Sequence, residues 1–318
     1  MRQRRLGAQG PEVEAVGLGC MGMTTAYDTN ERDDEESVRV IYRAVELGVT
    51  LVDTAEVYGP YENEELVGHA LAEGNLRDRV VLATKTGLVR EHGSIRPDGR
   101  PERIREAIDG SLRRLGTDNI DLYYLHRVDP EVPIEESWGA MKEVVEAGKA
   151  VRLGISEATL GQIEKAHALH PVSAVQSEMS LWTRDWIEAG VVSWCAENGV
   201  AFVPYAPLGR GYLTGVLSSR EGFDENDLRA HNPRFSREAM EGNRRIVETV
   251  KDVAERMGAT PAQVAIAWTL AQGEHVIPIP GTKKVRRLEE NVAAADLDLP
   301  EDALAELDRI PASVAPRY

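Results

Sequence analysis

Two cysteines in 318 residues, Cys20 and Cys195, are too few and too far apart for a disulfide framework or a cysteine-rich metal site. Positive charge is also in deficit. The chain carries 37 Lys and Arg against 53 Asp and Glu, a formal net charge of −16. That long-range field repels polyanions, so neither nucleic acid nor an anionic membrane is expected as a partner. Long apolar runs are missing as well. The longest uncharged stretch, Gly258 to Gly273, contains Pro261 and two glutamines, and falls short of the roughly 20 apolar residues a membrane helix needs. The basic start, MRQRRLGAQG, lacks the apolar segment of a signal peptide, so a cytoplasmic protein is expected. Ser-His-Asp hydrolysis would want a Gly-x-Ser-x-Gly elbow, and there is none. No His/Asp/Glu triad shares an element at ligand spacing, so no metal is expected.

What is present is a repeated unit. Hydrophobic residues make up 42% of the chain, enough for a large core. Eight short apolar runs alternate with helical patterns: 13–22, 50–55, 80–87, 120–127, 150–157, 173–179, 200–209 and 275–282. Near-continuous apolar runs of this length suit parallel strands buried on both faces. Between them, Val38, Ile41 and Val45 share a helical face, as do Ile134, Trp138, Met141 and Val145. Thr260-Pro261-Ala262-Gln263 reads as an N-cap, a first-turn proline and a capping-box partner. Eight strand–helix units predict a (β/α)8 TIM barrel, a single α/β domain over residues 1–318. An open doubly wound sheet is the runner-up. Gly17, Gly19 and Gly22 have spacing close to its dinucleotide fingerprint, but MTTAYDTNERDD after them starts no convincing helix. RRLGAQGPEVEAV predicts an N-terminal capping β-hairpin. Residues 217–243, long, charged and turn-rich, read as a loop that acts as a lid or is disordered.

Barrels of this type build active sites at the C-terminal ends of their strands. Those ends carry Asp53, Lys85, His126, Ser156-Glu157, Gln176, Tyr205 and Gly281-Thr282, with Tyr58 just after Asp53. Taken singly, Asp53 reads as a turn former, His126 as a structural histidine and Tyr58 as loop packing. A lysine at the end of VVLAT is costly to bury unless paired, and Asp53 on the adjacent strand meets that demand. Together the four make proton-donating chemistry. A phenol near pKa 10 is a weak acid at neutral pH, and an ammonium beside it is expected to lower that value. His126 is placed to orient a carbonyl oxygen. Lys85 as a Schiff-base nucleophile is a weaker reading, because Asp53 favours the charged amine. Lys283, Lys284, Arg286 and Arg287 form the densest basic cluster, beside GTKK at a strand–helix junction. A helix N-terminus with adjacent cations is a ready phosphate site.

The segments VGLGCMGMT, DTAEVYG, ATKTG, LHR, GISE, PYAPLGRG and IPIPGTKKVRRLEEN resemble the aldo-keto reductase superfamily over essentially the whole chain. The resemblance implies a (β/α)8 fold, NADPH as cofactor, and aldehydes or ketones as small-molecule substrates. It implies Tyr58 as general acid, Lys85 as its partner, Asp53 as counter-ion and His126 as substrate-orienting group. Ser156 and Gln176 would hold the nicotinamide carboxamide, and Tyr205 would stack on the ring. Leu208, Gly209, Arg210 and Gly211 would cradle the pyrophosphate. Gly281, Thr282, Lys283 and Arg287 would bind the adenosine phosphate, with Glu290 and Asn291 at the adenine and Gly22 also toward the cofactor. Met23 and Trp182 would line the substrate pocket with Tyr58 and His126. Glu157 departs from the commoner Ser-Asn pair: a carboxylate accepts from the carboxamide NH2 but cannot donate to its oxygen. Some members of the superfamily are cofactor-binding channel subunits with slow turnover, the alternative function for this chain.

Overall fold

The structure, a computed structural model, describes residues 2–91, 93–217 and 219–317. It opens on an antiparallel hairpin of β1 (Gln3–Arg5) and β2 (Glu12–Glu14). The parallel sheet then begins with β3 (Leu18–Gly19), β4 (Leu51–Asp53) and β5 (Val81–Thr86). A second hairpin follows, β6 (Leu88–Glu91) and β7 (Ser94–Pro97). The sheet resumes with β8 (Ile120–Leu125), β9 (Ala150–Ser156), β10 (Val172–Glu178) and β11 (Ala201–Tyr205). Its order, β11-β10-β9-β8-β5-β4-β3, runs steadily around the ring.

The predicted eighth strand closes that ring with an incomplete ladder. The Ile277 and Ile279 N–H groups donate to the Phe202 and Pro204 carbonyls at 2.8 and 3.0 Å. On the other side Gly17 and Gly19 donate to the Pro278 and Pro280 carbonyls at 2.9 and 3.4 Å. Pro278 and Pro280 have no N–H to return, so only the bridges Phe202–Val276 and Gly19–Gly281 complete the pattern. The protein is a (β/α)8 TIM barrel. Its bore is filled by Leu51, Ala83, Leu122, Tyr124, Ala174, Ala201, Val203, Ile277 and Ile279. Leu6 and Val13 from the first hairpin join that cluster and plug the N-terminal end, as expected from the sequence. An outer layer, including Ile41, Val67, Trp138 and Met141, packs the helices onto the strands. Each such buried side chain contributes about 1.5–3 kcal/mol.

The helix signals act as read. Thr260 and Gln263 form a capping box at the start of helix Pro261–Leu270. Asp33 caps helix Asp34–Glu46 by accepting from the Glu36 N–H at 2.9 Å.

One expectation needs correction, and two features go beyond the sequence reading. Run 13–22 is two strands, because its first part pairs within the hairpin and only Leu18–Gly19 joins the barrel. The β6–β7 hairpin has no counterpart in the sequence reading. Residues 217–243 (Ser218 lies outside the described residues) are ordered into short helical turns at Leu228–His231, Pro233–Phe235 and Arg237–Gly242. Asp227, Asn232 and Ser236 cap them through the N–H groups of Arg229, Arg234 and Ala239. This segment is fastened to the chain after β3. Leu228 donates to the Ala26 carbonyl at 2.9 Å, and Arg229 pairs with Asp28 at 3.0 Å. No helix among the described residues is long and apolar enough to cross a membrane.

Candidate active site

Strand periodicity places the site. Side chains alternate between faces, so the bore residues Leu51, Ala83, Tyr124, Ala174 and Val203 select the next inward positions along their strands. Those positions are Asp53, Lys85, His126, Gln176 and Tyr205. Gly154 shows how full the layer below is: a Cβ there would lie 2.3 Å from the Tyr124 ring.

Lys85 is fully buried and donates to Asp53 Oδ1 at 2.5 Å and to the Thr54 carbonyl at 2.7 Å. Its Nζ stands 3.5 Å from the Tyr58 hydroxyl and 5.1 Å from the centre of that ring. The Tyr58 and His126 rings meet edge-on with centroids 5.7 Å apart. The four residues expected to act together therefore do stand together. Tyr58 comes from the turn after β4, held by the nearly buried Glu56. That carboxylate accepts from Thr86 at 3.0 Å and from Arg103 at 2.7 Å. Thr54 donates to Asn63, whose amide in turn holds the Cys20 carbonyl and Thr24.

Burial opposes charge throughout this set. It works against the Lys85 ammonium, yet Asp53 and Tyr58 outweigh it and hold the amine above its ordinary pKa. Burial likewise raises Asp53, against the pull of Lys85 and Gln176. His126 is held well below the usual imidazole value by burial, with Arg127 and Lys85 adding to the effect, and is neutral. Tyr58 departs from expectation. Lys85 does pull its pKa down, but burial pushes harder and the phenol ends above its ordinary value. The lysine's shorter hydrogen bonds go to Asp53 and Thr54, which leaves the phenol only a 3.5 Å contact.

Several other expected positions have protein partners of their own. Gln176 turns its amide N–H to Asp53 Oδ2 at 2.8 Å, and so supports the counter-ion. Ser156 accepts from Arg127 at 3.2 Å. Glu157 is engaged with Arg317, through two contacts. Arg210 reaches the buried Glu178 at 2.9 Å. Met23 is buried in the outer apolar cluster that also holds Leu18 and Cys20. Trp182 stacks on Tyr212 with centroids 4.4 Å apart and meets Phe235 edge-on, beside the 209–211 turn. At that turn Gly209, Arg210 and Gly211 all have positive φ, 56°, 58° and 94°. A Cβ on Gly209 would come within 2.8 Å of Trp182, so glycine is needed there. Near the basic cluster, Lys283 donates to the Tyr27 and Asp28 carbonyls at 3.3 and 2.7 Å. Arg286 and Arg287 are exposed in the first turn of helix Val285–Ala293. Gly281 and Thr282 precede it, while Glu290 and the buried Asn291 follow within it.

Sequence reasoning missed Arg127, Glu178, Asn63 and Arg317. Arg127 was legible, since it directly follows His126. The other three act through contacts distant in sequence.

The model of the Aldo/keto reductase family matches residues 15–312. A probable aldo-keto reductase 1 from Glycine max is 45% identical over 304 residues, spanning 95% of this chain and 87% of that protein. Among solved structures, a glycerol dehydrogenase from Gluconobacter oxydans superposes with a TM-score of 0.87 at 29% identity, covering 99% of this chain and 98% of its own. A thermostable aldo-keto reductase solved with the inhibitor epalrestat gives 0.79 at 30% identity, covering 98% and 100%. With the strand-end geometry and a family match over nearly its full length, this chain belongs to the aldo/keto reductase family.

Proposed function

We propose that this protein is an NADPH-dependent reductase of aldehydes or ketones with Tyr58 as its general acid. Oxidoreduction of small carbonyl compounds with a nicotinamide cofactor is the general chemistry of the family. The observation that carries the finer reading is the buried chain from Asp53 through Lys85 to the Tyr58 hydroxyl. The residues present also fit a dinucleotide. His126 Nδ1 is buried without a hydrogen-bond partner, an atom that calls for a ligand or water. The glycine turn at 209–211 and the cations at 283–287 are chemically suited to phosphates.

When bound, the nicotinamide would supply hydride to the carbonyl carbon. Tyr58 gives its proton to the carbonyl oxygen as negative charge builds there, and the product is the alcohol. Lys85 offsets the phenolate charge that remains, and Asp53 keeps the lysine protonated. The neutral His126 offers one N–H to the same oxygen and fixes its direction. In this reading residues 219–243 cover the pyrophosphate end as a lid, supported by their fastening to Ala26 and Asp28.

The direct test is a panel of aldehydes and ketones followed by loss of NADPH absorbance. Steady oxidation with at least one small carbonyl is expected. Tight NADPH binding with no turnover on any of them would favour the regulatory-subunit alternative. A second expected outcome concerns the exposed Arg287, which this reading assigns to the 2′-phosphate. Arg287→Ala should weaken NADPH far more than NADH in parallel binding titrations, and equal losses would remove this residue from the phosphate site.

A further inference from the structure

Glu157 is unusual in three ways. It takes a left-handed backbone, with φ of 54°, a region costly for a residue that is not Gly, Asn or Asp. Its side chain is only 7% exposed. It also lies directly beyond Ser156 at the end of β9, next to the end of β10. One oxygen accepts from the Glu178 N–H at 2.9 Å, and the carboxylate meets the Arg317 guanidinium at 2.5 and 3.1 Å. Glu178, itself buried, is matched by Arg210 at 2.9 Å and lies 3.8 Å from Arg234. Two buried carboxylates thus sit side by side at the mouth, each faced by arginine from outside the sheet.

Arg317 is firmly held in turn. Its guanidinium lies over the Trp186 ring at 5.9 Å. Its carbonyl accepts from Asn232 at 3.0 Å. Three residues earlier, Val314 exchanges two hydrogen bonds with the Asn243 side chain, at 2.7 and 3.0 Å. The guanidinium is therefore delivered to Glu157 already oriented, and little side-chain freedom is lost in making a two-point contact.

We propose that Arg317 is a positioning residue of the cofactor site, which neutralises and orients the Glu157 carboxylate so that an anionic dinucleotide can lie beside it. The inference rests on the NADPH reading above. It explains how this chain carries an acid next to Ser156, where an unpaired carboxylate would repel the ligand and lose its own hydration. Arg317 acts through Glu157 and need not touch the ligand. It also ties the 311–317 segment to the mouth, and these two roles make different predictions.

The test is a titration of the intact protein and three variants with NADPH, followed by quenching of tryptophan fluorescence, with thermal melting in parallel. Arg317→Ala should weaken NADPH by about tenfold or more, as expected when one partner of a buried charge pair is truncated. The double variant Arg317→Ala/Glu157→Gln should bind as tightly as Glu157→Gln alone, because no bare carboxylate remains. If Arg317 served only to anchor the tail, the double variant would stay as weak as Arg317→Ala, and that result overturns the proposal. So would unchanged affinity in Arg317→Ala. Should Arg317→Ala fail to fold, Arg317→Gln compared with Arg317→Lys reads the same charge, with affinity kept only by lysine. A parent protein that binds no NADPH overturns the functional reading and this inference together, whereas a binding parent with an unaffected Arg317→Ala overturns this inference alone.

Discussion

Tyr58→Phe should lower kcat by about 10²–10⁴-fold, the usual contribution of a positioned general acid, while NADPH affinity stays close to that of the parent. The substitution removes one oxygen and leaves the ring against His126. A variant that reduced a good aldehyde at the parental rate would show that the proton comes from elsewhere. The pH dependence follows from the direction of the phenol's shift. Burial holds Tyr58 above its ordinary pKa, so the protonated acid prevails through the neutral range. Carbonyl reduction should therefore stay level there and fall only as pH rises past the raised phenol value. Alcohol oxidation needs the phenolate and should gain over that same rise. Lys85 is also held upward and stays charged through neutral pH. His126, well below its ordinary value, should add no inflection near neutrality. A sharp loss of reductase activity between mildly acidic and neutral pH would contradict this assignment.

Asp53→Asn should be the most damaging change to the fold among the site residues. Asp53 answers a fully buried ammonium at 2.5 Å and also takes the Gln176 amide. Removing its charge leaves Lys85 uncompensated, which costs about 3–5 kcal/mol for a buried pair broken on one side. Urea denaturation should show that loss, and turnover should fall as Lys85 loses its charge or its place. Lys85→Met strands the carboxylate instead and should destabilise similarly. The double variant Asp53→Asn/Lys85→Met separates fold from chemistry. It holds no unpaired charge, so most of the stability should return, but the phenol has lost its cation and turnover should not. Recovery of both would mean that the ion pair serves the fold alone.

Much of the site was legible because barrels carry their functional groups at the C-terminal ends of the strands. Each apolar run ends in a polar group, which put Asp53, Lys85, His126 and Gln176 at the mouth, and the structure shows Leu51, Ala83, Tyr124 and Ala174 facing the bore just below them. The need to pair a buried lysine pointed to Asp53 for the same local reason. The partner of Gln176 was not legible, since Gln176 and Asp53 lie 123 residues apart. Trp182 and Met23 are harder to read, because an apolar side chain near a site fits a pocket wall and a packing layer equally well. The Tyr58 shift was misjudged in sign because a count of neighbouring charges omits the cost of burial, which here is the larger effect.

By itself the sequence determined the barrel, its plugging hairpin and the row of polar strand ends, because periodicity, caps and turn residues act over a few positions. Beyond the Asp53–Lys85 pair, only the tertiary structure decided which polar group those ends would answer. Arg317 reaches Glu157 across 160 residues and Arg229 reaches Asp28 across 201. Such pairings are set by how the closed ring brings distant segments over its mouth, and by the cost of leaving any buried charge there without a partner.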